Sequence, residues 1–158
     1  MDSLYERDFI AWTEQQARIL REAAGRQTNL ALDWENIAEE LQDLGRSELR
    51  ALGSEIRRII QHLLKLEFST ATDPRFQWTT SITDARVEIE GLLESDPGLQ
   101  PRLPEIIRKE VPRSVRAASR DLRTHGEVDA ACQAAALDAT HYTQDQILGD
   151  WFPGDQAP

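Results

Sequence analysis

Apolar residues along this chain recur at intervals of three and four, and the longest such series is Trp34, Ile37, Leu41, Leu44, Leu52, Ile56, Ile59, Leu63 and Leu66. That spacing keeps side chains on one face of an α-helix. It predicts a single helix from Asp33 to Phe68, about 50 Å long at 1.5 Å per residue. Asp33 suits its N-cap, because the carboxylate can accept from first-turn amides, and Leu32 with Ile37 occupy the two staple positions. Gly45 and Gly53 each cost about 1 kcal/mol relative to Ala, so a bend or a close helix contact is expected there rather than a break.

The same periodicity predicts a first helix from Tyr5 to Ala24, with Phe9, Trp12, Gln16, Ile19, Leu20 and Ala23 inward and Gly25 at its end. Residues 69–77 contain Asp73-Pro74 and read as a connection. A third helix is predicted from Thr80 to Glu94, with Ile82, Ala85, Ile89, Leu92 and Leu93 inward and Ser81 with Asp84 at capping-box spacing. The fourth begins between Pro97 and Pro104 and runs to Thr124, carrying Leu103, Ile107, Val111, Ser114, Ala118 and Leu122, with Gly126 as its C-terminal cap. Pro112 should kink or split it. Val128 to Ala139 reads as an Ala-rich helix. Thr143 and Gln146 form a capping box, with Tyr142 and Ile147 as staple, for a short last helix carrying Trp151 and Phe152. Pro153 and the residues after it are expected to fray. No segment alternates as a strand does, so the expected fold is all-α. It is one domain over residues 1–158, a bundle of about four principal helices with a very long second helix and a short C-terminal helical appendage.

With 158 residues the chain can bury an apolar core without disulfides or structural metal. No apolar run approaches the roughly 20 residues that span a bilayer, so no membrane partner is expected. The acidic, amphipathic N-terminus lacks the pattern of a secretory signal, and the single cysteine, Cys132, cannot form an internal disulfide; both point to the cytoplasm. A net charge of −10, from 28 acidic and 18 basic residues, repels a phosphate backbone and argues against nucleic acid. The basic cluster of Arg108, Lys109, Arg113, Arg116, Arg120 and Arg123 is interleaved with Glu110 and Asp121 and reads as a solvated helix face.

Polar residues on the apolar faces are the candidates for chemistry. Glu48, Glu55 and His62 fall on one line beside the stripe of the long helix, Arg86 flanks the apolar face of the third, and Glu110 and Asp121 flank that of the fourth. Buried unpaired, such charges would cost several kcal/mol, so they should meet partners across the bundle or line a wet opening. The functional reading is a polar pocket around Glu48, Glu55, His62 and Arg86, in which His62 exchanges protons and Arg86 holds an anion. The structural reading, a fold-specifying polar network, is better supported, and Arg58 lies within one turn of both Glu55 and His62.

A metal centre built on this line alone is not expected, and only a mixed site drawing ligands from other helices stays open. The Glu-x-x-His pattern of di-iron bundles is absent, and residues seven apart are about 10.5 Å apart along a helix, too far for Glu48, Glu55 and His62 to share one ion. No cofactor is implied. Glu39, Glu40 and Asp43 form a denser acidic patch, best read as solvated but able to meet a cation or an Arg-rich partner. His125 is placed to cap a helix C-terminus, and His141 lies in a loop. Cys132 sits among alanines, as a packing residue does. No Gly-flanked serine elbow or phosphate-binding glycine loop occurs. Trp12, Trp34, Trp78 and Trp151 read as core or boundary anchors.

The order of the motifs resembles a bacterial family catalogued only as domain of unknown function 29. Tyr5, Asp8, Phe9, Ala11 and Trp12 resemble its YExDFxAW opening. Ile37-Ala-Glu-Glu-Leu41 and Asp43-Leu-Gly-Arg-Ser-Glu48 resemble its central signature. His62-Leu-Leu-Lys65, the series Trp78, Ile82 and Arg86, then Gln146-Ile-Leu148 and Trp-Phe-Pro follow in order. The resemblance spans nearly the whole chain, departing at Pro112 and in the Ala-rich stretch. It implies a helical bundle and carries over no catalytic residue. Two functions stay open. One is association with a protein partner or a second copy, suggested by amphipathic surface without catalytic signatures. The other is an enzyme or a small-molecule or anion binder using the pocket around Glu48, His62 and Arg86.

Overall fold

The computed structural model describes residues 3–26, 30–126, 137 and 142–154. Among them are six α-helices and one 3₁₀ helix, with no strand: α1 Leu4–Arg7, α2 Phe9–Ala24, α3 Trp34–Phe68, α4 Arg75–Ser95, the 3₁₀ helix Pro97–Arg102, α5 Leu103–Thr124 and α6 Gln144–Leu148. No helix among the described residues is long and apolar enough to cross a membrane. The Ala-rich segment around Cys132 and also His141 lie outside the described residues, apart from Leu137, which is buried. Two compact units divide the chain, Met1–Leu52 with Gly91–Arg102 and Gly53–Glu90 with Leu103–Pro158, and α3 contributes to both.

In the first unit the expected single opening helix is two. Asp8, at φ −156° and ψ 87°, leaves the helical region and serves both as the C-cap of α1 and as the N-cap of α2, where its side chain accepts from the Ala11 amide at 2.9 Å. The 3₁₀ helix holds this junction. Asp96, buried, accepts from the amides of Phe9 at 3.1 Å and Gly98 at 2.9 Å, while Arg102 donates to Asp8 at 3.0 Å. A side chain at Gly98 would collide with Asp8, its Cβ lying 2.5 Å from the Asp8 Cγ. The inward face of α2 is also rotated from expectation. Ile10, Thr13 and Ala17 are buried, Phe9 and Trp12 are half-buried in an aromatic cluster with Tyr5, and Ile19 is exposed.

Small residues let α2 lie close against α3. Gly45 sits over Thr13, with a would-be Cβ 2.5 Å from Thr13 Oγ1 and 3.7 Å from the Ile10 Cα. Arg21 reaches Glu35 at 2.9 Å and Gln42 at 3.1 Å and fixes the register. At the start of α3, Asp33 caps as expected, accepting from the Asn36 amide at 3.3 Å. The expected stripe splits here: Ile37 and Leu44 are 38% and 53% exposed, whereas Ala38 and Leu52 are buried.

In the second unit the rest of the stripe, Ile56, Ile59, Leu63 and Leu66, is buried together with Ile60 and Leu64. α4 begins at Arg75, directly after Asp73-Pro74, because proline is well suited to the edge of a helix and unsuited to its interior. Ser81 and Asp84 are therefore mid-helix and form no cap. Trp78, Ile82, Ala85 and Ile89 are the buried face of α4, while Leu92 and Leu93 are only half-buried. α5 runs through Pro112 without being split. Gly126, at φ 65°, closes it as expected, and His125 Nδ1 meets the Asp121 carbonyl at 2.8 Å. The Thr143–Gln146 capping box forms and Ile147 is buried, but α6 ends at Leu148, so Trp151 and Phe152 follow the helix.

The Thr13–Gly45 contact makes a sharp prediction. Gly45→Ala gains about 1 kcal/mol of helix propensity, yet overpacking against the buried threonine costs about 1–3 kcal/mol, so the variant should be less stable than the parent in urea denaturation. Thr13→Ala in the same chain removes the clash and should restore most of the loss, a non-additivity that independent sites would not show.

Candidate functional site

The candidate polar side chains sort into three groups. In the first, Arg57, Gln61 and Lys65 follow Gly53 at four-residue spacing on α3 and face Glu110, Ser114 and Asp121 on α5. Glu110 is 4% exposed and each of its oxygens has its own guanidinium, Arg57 on Oε2 and Arg113 on Oε1, both at 2.7 Å. Gly53 leaves room for that carboxylate, its would-be Cβ lying 3.4 Å from Glu110 Oε1. Asp121 Oδ2 accepts from Gln61 at 2.8 Å and from Lys65 at 2.9 Å. Burial alone would raise the Asp121 carboxyl, but the hydrogen bond and charge of Lys65, aided by Gln61, hold it below the usual range. The Lys65 ammonium also lies 5.7 Å from the centre of the Trp78 ring. Glu110 and Asp121 thus meet partners, as their place on an apolar face requires.

The second group is the line expected on α3. Glu48 belongs to the first unit, is half-buried and has no hydrogen-bond or ion-pair partner among the described residues. Glu55 is taken by its own helix: Arg58 Nη2 donates to Oε1 at 2.7 Å and lies 2.5 Å from Oε2. His62 is half-buried, and its Nδ1 is buried with no hydrogen-bond partner. Burial, then the positive charges of Lys65 and Arg58, push its pKa down to about 4 against the opposing charge of Asp121. Such an imidazole is neutral at pH 7 and poorly matched to proton exchange there.

Arg86 forms the third. It is buried on α4 and spends its guanidinium on backbone: Nε donates to the Ile147 carbonyl at 3.0 Å, and Nη2 to those of Gln146 at 3.0 Å and Trp151 at 2.8 Å. The Phe152 ring stacks over it, 4.9 Å from Cζ. Burial lowers its pKa and the Asp150 charge opposes this. Its hydrogen bonds therefore go to the C-terminal carbonyls and not to Glu55 or His62. Beside it, Tyr142 donates to Glu67 at 2.5 Å and packs against Trp151. The preceding sequence could have revealed the Arg57–Gln61–Lys65 row by its i, i+4 spacing; nothing in it marks main-chain carbonyls as the partners of Arg86.

In the first unit a cleft of about 140 Å³ lies between α2 and α3, lined by Ile10, Thr13, Glu14, Gln42, Gly45, Arg46 and Leu49. It is smaller than the roughly 300–1,000 Å³ of a typical small-molecule site. Gln42 already accepts from Arg21, and Arg46 pairs with Asp43 at 2.8 Å. Of the acidic patch, Glu39 and Glu40 are exposed and Asp43 is half-buried in that pair. No group of three or more His, Cys, Asp or Glu that could hold a metal occurs among the described residues.

Two measurements follow from this arrangement. Arg86→Met strands three carbonyls whose charged hydrogen bonds are worth about 1.5–3 kcal/mol each, so urea denaturation should show a loss of about 3 kcal/mol or more. Arg86→Lys should recover only part, since one ammonium cannot replace the planar fork. His62 prefers its neutral form in the folded chain, so the unfolded chain takes up the proton first as pH falls through 6.5. Stability should decline from about pH 6.5 toward 4, and His62→Leu should flatten the melting-temperature slope between about pH 7 and 5.5.

The family model described as domain of unknown function DUF29 matches residues 4–152. An α-helical protein of unknown function from Rhodospirillum rubrum ATCC 11170, solved as a crystal structure, is similar to this chain with a TM-score of 0.68 and 27% identity, over 95% of this chain and 92% of that one. No curated protein matches significantly. The family match runs from the opening Tyr5–Trp12 motif through the Trp-Phe pair after α6, and the chain therefore belongs to the DUF29 family.

Proposed function

We propose that this protein works in the cytoplasm by association with another protein, through the open first half of the α3 stripe. The observation that carries this reading is the exposure of Ile37 and Leu44, one line of the helix seven residues apart, with half-buried Leu41 between them. Exposed apolar residues are ordinary when scattered; a contiguous row on one helix is the form a partner helix recognises. Glu39 and Glu40 beside the row are exposed and have no ion pair among the described residues, so the complementary partner is an amphipathic helix with Lys or Arg along its apolar edge. Against the pocket reading, Arg86 has its donors committed to carbonyls and Glu55 is held by Arg58.

Ile37→Glu with Leu44→Glu is the test. Both sites are open to water, so the melting temperature should barely move. Affinity capture from the native cell, read by quantitative mass spectrometry, should lose the partner by about 30-fold, the equivalent of about 2 kcal/mol of hot-spot energy. Equal capture by the parent and the double variant, or no specific partner for the parent, overturns the reading.

A further inference from the structure

The outer face of α5 carries charge of one sign. Lys109, Arg113, Arg116, Arg120 and Arg123 are all exposed. They are spaced four, three, four and three, so they fall within one arc of about 80° on the helix, with exposed Arg108 beside it. The sequence interleaves these cations with Glu110 and Asp121, but the structure takes both acids out of the row. Glu110 is buried between Arg57 and Arg113, and Asp121 is half-buried against Gln61 and Lys65. Of the described residues of α5, Glu105 alone is an exposed acid, and it stands one turn before the row. Arg113 is held by Glu110 and Arg123 donates to the Ser119 carbonyl, whereas Arg108, Lys109 and Arg116 have no ion pair or hydrogen bond among the described residues.

Such a row attracts an anionic partner, and its dimensions select the kind. From Lys109 to Arg123 it is about 21 Å long. The chain around it is acidic, since setting these six cations aside takes the net charge from −10 to −16. A nucleic-acid duplex, with a charge every ~1.7 Å, runs on past both ends of the row into that negative field. It also finds no exposed aromatic on α5 to stack a base, and a bilayer finds no large apolar side chain there to insert. A short acidic helix meets neither obstacle. Its carboxylates, repeated at four and three residues, share the rise of the row, about 10.5 Å every seven residues, so pairs form along the whole contact. Four of the five cations in the row are Arg, whose planar fork can take a carboxylate through two hydrogen bonds. We propose that the outer face of α5 docks an acidic helix of a partner protein, with Glu or Asp in a single row at four- and three-residue spacing. The pairs are open to water, so the contact is weak and sensitive to salt. It is independent of the α3 surface, which suits a partner of opposite charge.

The probe is a stapled, helical, Ala-based peptide of about 20 residues with five Glu at that spacing, followed by fluorescence anisotropy at low salt. A second stapled peptide has the same composition with its Glu spread around the helix. The parent should bind the first about tenfold tighter than the second and release it as salt rises to about 0.5 M. Lys109→Glu with Arg116→Glu removes no contact within the described residues, so the melting temperature should hold while binding weakens about tenfold or more. The same change of net charge at exposed Arg18 and Arg50, each to Glu, should alter binding by less than about twofold. No binding of the first peptide, equal binding of the two peptides, or an equal loss from the Arg18 and Arg50 reversal each overturns the proposal. So does tighter binding, at the same salt, to a DNA duplex of about 20 base pairs or to phosphatidylserine vesicles. Ile37→Glu with Leu44→Glu should bind the peptide as the parent does, so the two surfaces are tested separately.

Discussion

A 35-residue helix sets the terms for everything packed against it. At 1.5 Å per residue α3 is about 52 Å long, whereas the 16 residues of α2 reach about 24 Å and the 21 and 22 of α4 and α5 about 31 and 33 Å. No single neighbour can cover the stripe. Its two halves are consequently serviced by different elements: α2, through Ile10, Thr13 and Ala17, in the first unit, and the larger apolar faces of α4 and α5 in the second. The small residues of the first unit permit close approach but shade little surface. Ile37 and Leu44 stay open there, while Ile56, Ile59 and Leu63 are fully enclosed.

Charges do a different task from the apolar stripe. Apolar contacts tolerate sliding by a turn; a carboxylate buried with two guanidiniums does not, because displacement leaves it unpaired at a cost of several kcal/mol. Glu110 between Arg57 and Arg113, and Asp121 between Gln61 and Lys65, fix the register of α5 along α3 in the second unit. Arg86 does the same for the C-terminal segment by gathering three carbonyls. In the first unit Asp8 and Asp96 play the corresponding part by trapping main-chain amides at the α1–α2 junction.

Periodicity made the helical fold and the length of α3 legible, because an apolar stripe is a local, repeating signal. Caps built on near neighbours were legible for the same reason: Asp33, Gly126 and the Thr143–Gln146 box are where the sequence puts them. Elements decided by distant contacts were not. Asp8 breaks the first helix because Asp96 and Arg102, some ninety positions on, hold the junction. α4 starts at Arg75, not Thr80, since Asp73-Pro74 outweighs a capping-box pattern that happens to lie mid-helix. The polar line of Glu48, Glu55 and His62 is real as a spacing, but helical periodicity cannot say that Arg58 takes Glu55 or that main-chain carbonyls take Arg86.

The contrast between satisfied polar groups and open apolar ones weighs on function. A site for polar chemistry is usually built from groups with bonding capacity to spare in a sheltered space. Here the buried charges are largely spent on one another or on the backbone, leaving, among the described residues, Glu55 Oε2, His62 Nδ1 and Asp96 Oδ2 as buried atoms without a hydrogen bond. Spare capacity lies instead in apolar rows: Ile37 with Leu44 on α3, and Phe76 with Val87 on α4. These rows belong to helices whose other faces are already buried, so they cannot be covered by rotating the helix without exposing its core. Water-exposed apolar area of this kind is relieved only by another surface, and that is the physical ground of the association proposed above.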